Sequence, residues 1–150
     1  MESPQAILFD LDGVLLDTER LHSKAWFKAA KICGTNLSEE QLILLKGRRR
    51  YECAEMVVNW IAKAISTKEF LKLHQPITKD LMRNVPAMLG AENLIRYCYE
   101  LNLPMALVTS STSSSVEIKI RTHLWINLIN SRVYGDDSSL KNGKPAPDPF

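Results

Sequence analysis

Residues 6–19 read AILFDLDGVLLDTE, and this stretch decides the fold of the chain. The apolar run at its start predicts a buried strand. The strand ends in two carboxylates, Asp10 and Asp12, and Gly13 then lets the backbone turn without the steric penalty of a Cβ. Because burying an unpaired carboxylate is unfavourable, the two acids indicate a strand that opens into a crevice, where open α/β sheets bind their ligands. An acidic Asp-Gly surface turn is the alternative interpretation.

Two later stretches end in side chains of related chemistry. Residues 104–110, PMALVTS, form a second apolar run that ends in the hydroxyls of Thr109 and Ser110. Residues 143–150, GKPAPDPF, place Lys144 before a turn stiffened by prolines. Carboxylates, a hydroxyl and a lysine that follow successive elements in this order are typical of a site for phosphoryl transfer.

The three motifs DLDGVLLDTE (10–19), VTSS (108–111) and GKPAPDPF (143–150) resemble those of the haloacid dehalogenase superfamily. The similarity is greatest to the branch that contains β-phosphoglucomutase and small-molecule phosphatases, and it covers nearly the whole chain. The resemblance implies an α/β fold with a Rossmann-like parallel sheet as its core. It also implies a helical cap inserted between the first and second motifs.

The sequence between the two strands has the patterns of helices. From about residue 17 to residue 87, apolar residues recur at helical spacing and no convincing strand occurs. Ser38 and Gln41 have the spacing of a capping box, and Pro76 is expected to break or kink the last long helix. This stretch therefore predicts an inserted helical unit. A helical connection that packs on the core without closing a site is the alternative.

We predict an α/β core at 1–16 and 88–150, with about three parallel strands, and a helical cap at 17–87. The resemblance implies a further strand and further acidic residues beyond Phe150, so we expect the chain to be truncated before a fourth motif. The first strand would then lie at a sheet edge. Exposed edges pair with other chains, which makes self-association a possibility.

Four residues are predicted to carry the chemistry. Asp10 is the candidate nucleophile, since a carboxylate can attack phosphorus and form an aspartyl-phosphate. Asp12, two residues later, is the candidate general acid and base. Thr109 can donate a hydrogen bond to a phosphoryl oxygen, and Lys144 can balance the charge of the transition state. Mg²⁺ is the expected cofactor, held by Asp10 and Asp12, and the resemblance assigns the backbone carbonyl of Asp12 to the metal.

Five further residues are predicted to bind substrate. Gly13 and Ser110 adjoin the catalytic residues. In the resembling mutases, positions that match Thr18 and His22 lie near the substrate. Within KGRRRYE, the resemblance favours Arg50, whose guanidinium suits a phosphate. A surface helix position for His22 and a solvated basic turn for Arg50 are the alternatives.

Composition excludes several classes of partner. The net charge of +2 is too small to indicate binding to nucleic acid or to a membrane, and no apolar run approaches the length of a transmembrane helix. The three cysteines are widely spaced without a CxxC pair, which indicates reduced thiols and a cytoplasmic location. The expected partner is a small phosphorylated metabolite.

We therefore predict a Mg²⁺-dependent phosphatase that acts on a small phosphomonoester, such as a sugar phosphate, through an aspartyl-phosphate. A sugar-phosphate mutase and an inactive fragment without the fourth motif are the alternatives.

Overall fold

A computed structural model of the chain describes residues 4–150. The sheet within these residues has three parallel strands, β1 (Ile7–Phe9), β2 (Met105–Val108) and β3 (Ser131–Val133), in the order β1-β2-β3. Phe9 is in register with Leu107, and Val108 with Val133. The α/β class and the three-stranded parallel sheet are as predicted, and β1 lies at one edge.

Six α-helices and one 3-10 helix accompany the sheet in the described residues. They are α1 (Thr18–Ile32), α2 (Glu39–Leu44), α3 (Arg50–Trp60), α4 (Thr67–Met82), α5 (Ala91–Glu100), α6 (Ser113–Ile120) and the 3-10 helix Leu124–Leu128. None of the helices in this part of the chain is long and apolar enough to cross a membrane.

The chain divides into two compact units. The first unit joins the described residues up to Thr18 with Arg83–Phe150 and contains the sheet. The second unit is Glu19–Met82 and contains helices only. These limits lie within a few residues of the predicted insertion at 17–87. The action of the second unit as a cap stays a prediction.

The core of the first unit surrounds the strand ends. Leu107 and Val108 of β2 are buried between neighbours on both sides, as a central parallel strand requires. Ile95 of α5 and Val116 of α6 are buried as well. The strand tips therefore rest on a packed apolar base.

The second unit has its own core, formed by one face of each of its longer helices. Its buried members include Trp26, Ala29, Val57 and Phe70. The predicted capping box is present at the start of α2, because Ser38 and Gln41 exchange side chain-to-backbone hydrogen bonds.

The sequence predicts that Pro76 breaks or kinks its helix. A break is wrong, because α4 continues through Pro76 to Met82. Proline removes one donor from the helical ladder. Phe70, His74 and Met82 are buried at intervals of four and eight residues on α4. The shared buried face holds both halves of α4 in one helix despite the lost hydrogen bond.

Candidate active site

The turn after β1 fixes the position of the first two carboxylates. Asp10 follows the strand directly, and its Oδ1 accepts a hydrogen bond of 2.8 Å from the backbone N–H of Leu11. Gly13 has a φ of 75°, a conformation that side chains with a Cβ rarely adopt. Its N–H donates to the carbonyl of Leu16 at 2.8 Å, and Leu11 and Leu16 are fully buried. Buried leucines on both sides of the turn thus hold the acids in place.

Lys144 connects the ends of two strands. Its Nζ donates a hydrogen bond of 2.7 Å to the carbonyl of Val108, the last residue of β2, and lies 3.3 Å from Asp10 Oδ1. The Asp10 side chain is 43% exposed and can receive a ligand. The structure therefore brings Asp10 and Lys144 together at the carboxyl ends of the strands.

The loop after β2 is shaped by the third strand. Thr109 is buried and its backbone N–H donates to the carbonyl of Val133 at 3.0 Å. Its Oγ1 accepts a hydrogen bond of 3.1 Å from the N–H of Ser111, while Ser110 is exposed. Gly135 packs against the Ser110 backbone so closely that a Cβ would overlap the Ser110 carbonyl. The backbone of the second motif is thus held in one path.

The side chain of Asp12 makes a contact that the sequence analysis missed. Lys119 Nζ lies 2.6 Å from Asp12 Oδ1, and Ser111 Oγ donates to Asp12 Oδ2 at 2.7 Å. Lys119 is buried on α6, three residues after the buried Val116. A lysine within the apolar stripe of a short helix was the sequence signal that could have identified it.

Burial and charge act on Asp12 in opposite directions. Burial raises the pKa of the Asp12 carboxyl, but the Lys119 ammonium and the hydrogen bonds from Lys119 and Ser111 outweigh it, so the pKa is lowered; the nearby Thr18 hydroxyl acts in the same direction. The Thr18 hydroxyl is completely buried and makes no hydrogen bond of ordinary length among residues 4–150. Thr18 thus lies close enough to affect Asp12, and it belongs to the same unit of the chain.

The other two predicted substrate contacts, His22 and Arg50, lie in the second unit. Arg50 is exposed at the start of α3, and His22 lies on α1. Burial, assisted by the positive charges of Arg50 and His22, lowers the pKa of His74 to about 4. Their contact with substrate stays a prediction.

Two acids near the third motif are engaged elsewhere. The Asp136 carboxylate accepts hydrogen bonds from the N–H and Oγ of Ser113, at 2.8 and 3.0 Å. Asp137 Oδ1 accepts from the N–H and Oγ of Ser139, at 2.9 and 2.7 Å. Asp136 thus joins the loop after β3 to the start of α6, and Asp137 stabilises its own local turn.

The donor atoms at the strand tips suit a hard cation. Asp10 contributes a partly exposed carboxylate, and oxygen ligands with retained waters are what Mg²⁺ prefers. Both oxygens of the Asp12 side chain are already bonded, which leaves its backbone carbonyl as the donor. Within residues 4–150, no group of three or more His, Cys, Asp or Glu side chains could hold a metal ion. The described residues therefore fit Mg²⁺ as a partial set of ligands.

The chain is similar in sequence to known phosphatases. A probable pseudouridine-5'-phosphatase of Drosophila melanogaster is 36% identical over 145 residues, which cover 95% of this chain and 63% of the relative. The mitochondrial (DL)-glycerol-3-phosphatase 1 of Arabidopsis thaliana is 29% identical over 147 residues, which cover 96% of this chain and 49% of the relative. The chain thus spans about half to two thirds of the length of these curated relatives.

The fold has a close counterpart among solved structures. A protein from Thermotoga maritima, assigned provisionally as a beta-phosphoglucomutase, superposes with a TM-score of 0.83 at 25% identity, covering 96% of this chain and 66% of that one. The family model for haloacid dehalogenase-like hydrolases matches residues 7–150. Because this match includes all three motifs and the whole sheet, the chain belongs to the haloacid dehalogenase-like hydrolases.

Proposed function

We propose that the protein containing this chain is a phosphatase that hydrolyses a small phosphomonoester through an aspartyl-phosphate on Asp10. The contact of Lys144 with Asp10 at the tips of β1 and β2 carries this proposal. A lysine against a partly exposed carboxylate supplies a nucleophile and a positive charge at one point. Phosphoryl transfer needs both there, because negative charge spreads over the transferred group.

The first step forms a covalent intermediate on the protein. An Asp10 carboxylate oxygen attacks phosphorus, a new O–P bond forms, and the bond to the leaving oxygen breaks. Asp12 takes up a proton before this step and gives it to that leaving oxygen, which departs as an alcohol. Lys144 stabilises the equatorial phosphoryl oxygens, and Thr109 is the proposed hydrogen-bond donor to one of them.

The second step returns the protein to its starting state. Asp12, now a carboxylate, takes a proton from a water molecule that attacks the aspartyl-phosphate. The O–P bond to Asp10 breaks and inorganic phosphate leaves. When bound by Asp10 and the Asp12 carbonyl, Mg²⁺ supplies charge neutralisation between the two anions.

The relatives indicate the class of substrate. Their names include phosphatases of pseudouridine 5'-phosphate, glycerol 3-phosphate, phosphorylated carbohydrates and fructose 1-phosphate. These are small, hydroxylated phosphomonoesters. We therefore propose a substrate of that class, with Gly13, Thr18, His22, Arg50 and Ser110 as the predicted contacts.

Three further expectations accompany the proposal. Nucleic acid and membranes are not expected as partners, and the expected location is cytoplasmic. Self-association through β1 is the third, because β1 has one strand neighbour within residues 4–150 and Leu8 on it is 51% exposed. Size-exclusion chromatography at several protein concentrations tests it.

Phosphate release from a panel of these four substrate types, with and without Mg²⁺, tests the proposed function. Asp10→Asn should abolish turnover while leaving the circular dichroism spectrum unchanged, because the amide is nearly isosteric with the carboxylate. Chelation of Mg²⁺ should lower turnover, and added Mg²⁺ should restore it. Wild-type rates in D10N, or conversion of a sugar 1-phosphate to its 6-phosphate without phosphate release, would contradict the proposal.

A further inference from the structure

Lys119 is a buried cation that forms an ion pair with Asp12. Its side chain is 5% exposed, and its Nζ contacts Asp12 Oδ1 at 2.6 Å and Ser111 Oγ at 2.8 Å. An ammonium buried without a partner would be strongly unfavourable. Lys119, Ser111 and Asp12 thus form a closed triangle, which we call the Asp12 clamp.

The hydrogen atoms of the clamp are used consistently. Lys119 has only donors, and the Ser111 hydroxyl has one donor and two acceptor positions. Ser111 Oγ accepts from Lys119 and donates its single hydrogen to Asp12 Oδ2 at 2.7 Å. Each oxygen of the Asp12 carboxylate is therefore held by a different donor, which fixes the plane of the carboxylate as well as its position.

The donors reach Asp12 from distant parts of the chain. Ser111 follows β2 and lies 99 residues from Asp12, and Lys119 on α6 lies 107 residues away. The buried ion pair of Lys119 and Asp12 need not stabilise the fold, because the desolvation of two buried charges offsets much of their attraction. Orientation of a reacting group is the better explanation, since proton transfer depends steeply on geometry.

We propose that Lys119, together with Ser111, is a positioning residue that holds the Asp12 carboxylate where it exchanges a proton with the leaving oxygen and with the attacking water. This inference rests on the proposed phosphatase activity. Lys119 acts through Asp12 and does not itself touch the phosphoryl group. It differs in this respect from Lys144, which contacts the nucleophile.

The test compares two substrates that differ in their need for a proton. Phenyl phosphate has a poor leaving group and needs protonation, whereas 4-nitrophenyl phosphate has a good one. Lys119→Met should lower kcat/KM for phenyl phosphate by about tenfold to a hundredfold, and that for 4-nitrophenyl phosphate by at most about threefold. A structural role would lower both values equally.

A double-mutant cycle tests whether Lys119 acts through Asp12. In a D12N background, K119M should cause no further loss of kcat/KM, whereas independent roles would give additive losses. The same four proteins are compared in urea unfolding, which reports the contact between the two side chains without reference to activity. Glu117→Gln, at an exposed position of α6, is the matched control and should behave as wild type.

Ser111→Ala gives a second route if K119M does not fold. It removes one clamp contact with little change in volume and should show the same selective loss on phenyl phosphate, at smaller size. Equal losses on the two substrates, or additive losses in the cycle, would overturn the positioning role of Lys119 but leave the proposed phosphatase function standing. An inactive wild-type protein would overturn the proposed function and this role with it.

Discussion

Lys144 Nζ lies 3.3 Å from Asp10 Oδ1 although the two residues are close to opposite ends of the chain. The contact exists because β1 and β2 are parallel neighbours, so that their carboxyl ends meet at one edge of the sheet. The hydrogen bond from Lys144 to the Val108 carbonyl fixes the lysine to the end of β2. The ammonium is therefore held beside Asp10, the proposed nucleophile, before any substrate arrives.

Lys144→Met should lower kcat on the best substrate of the panel by about a hundredfold or more, because a preorganised charge at the transferred group is lost. The change in unfolding free energy should be small, since the lysine is partly exposed. Steady-state kinetics and urea unfolding measure the two effects. Lys141→Met, an exposed lysine in the same loop, is the control and should keep wild-type kinetics. Equal losses in both variants would show that K144M acts through the loop.

His74 and Trp26 form the closest ring pair of the second unit. Their ring centroids are 3.7 Å apart and nearly parallel, and His74 is 1% exposed. The Thr78 hydroxyl lies 3.2 Å from His74 Nε2. Burial is the main cause that lowers the pKa of His74 to about 4 from an ordinary value of 6.5. Neutral His74 is thus part of the folded core.

The stability of the protein should therefore fall as the pH falls from about 6.5 towards 4. The unfolded state binds a proton at His74 in this range and the folded state does not, so protonation favours unfolding. Above pH 6.5 the protonation of His74 no longer affects the free energy of unfolding. Once the pH is below both pKa values of His74, the total loss of stability is about 3 kcal/mol. Urea unfolding at intervals between pH 7.5 and pH 4.5 measures it.

His74→Phe keeps an aromatic ring on Trp26 and removes the titrating group. It should flatten the dependence of stability on pH between 6.5 and 5, where the carboxyl groups with lowered pKa values contribute little. His22 and His123 remain in this variant and serve as the internal control. An unchanged slope in H74F would mean that His74 is not the source of the pH dependence.

The sequence was sufficient for those parts of the site that follow from strand order. Asp10 and Lys144 could be placed together because apolar runs with polar ends predict parallel strands whose tips converge. Lys119 was missed because a helical pattern does not show which neighbour a residue on the buried face meets. Pro76 was misjudged for a related reason, since the packing of Phe70 and Met82 outweighs one absent backbone donor.

Gly135→Ala should damage the site without touching any reacting group. Its Cβ would overlap the Ser110 carbonyl, so that the backbone of one of the two segments must move. We expect a loss of stability of about 1–3 kcal/mol, as for other overpacked positions, together with a lower kcat. Gly143→Ala is the matched control for stability, because a Cβ there meets nothing within 4 Å and its φ is not in the left-handed region. Urea unfolding of the two variants and of the wild type measures the difference. Equal stability of G135A and G143A would mean that the Ser110 backbone moves aside without a cost in free energy.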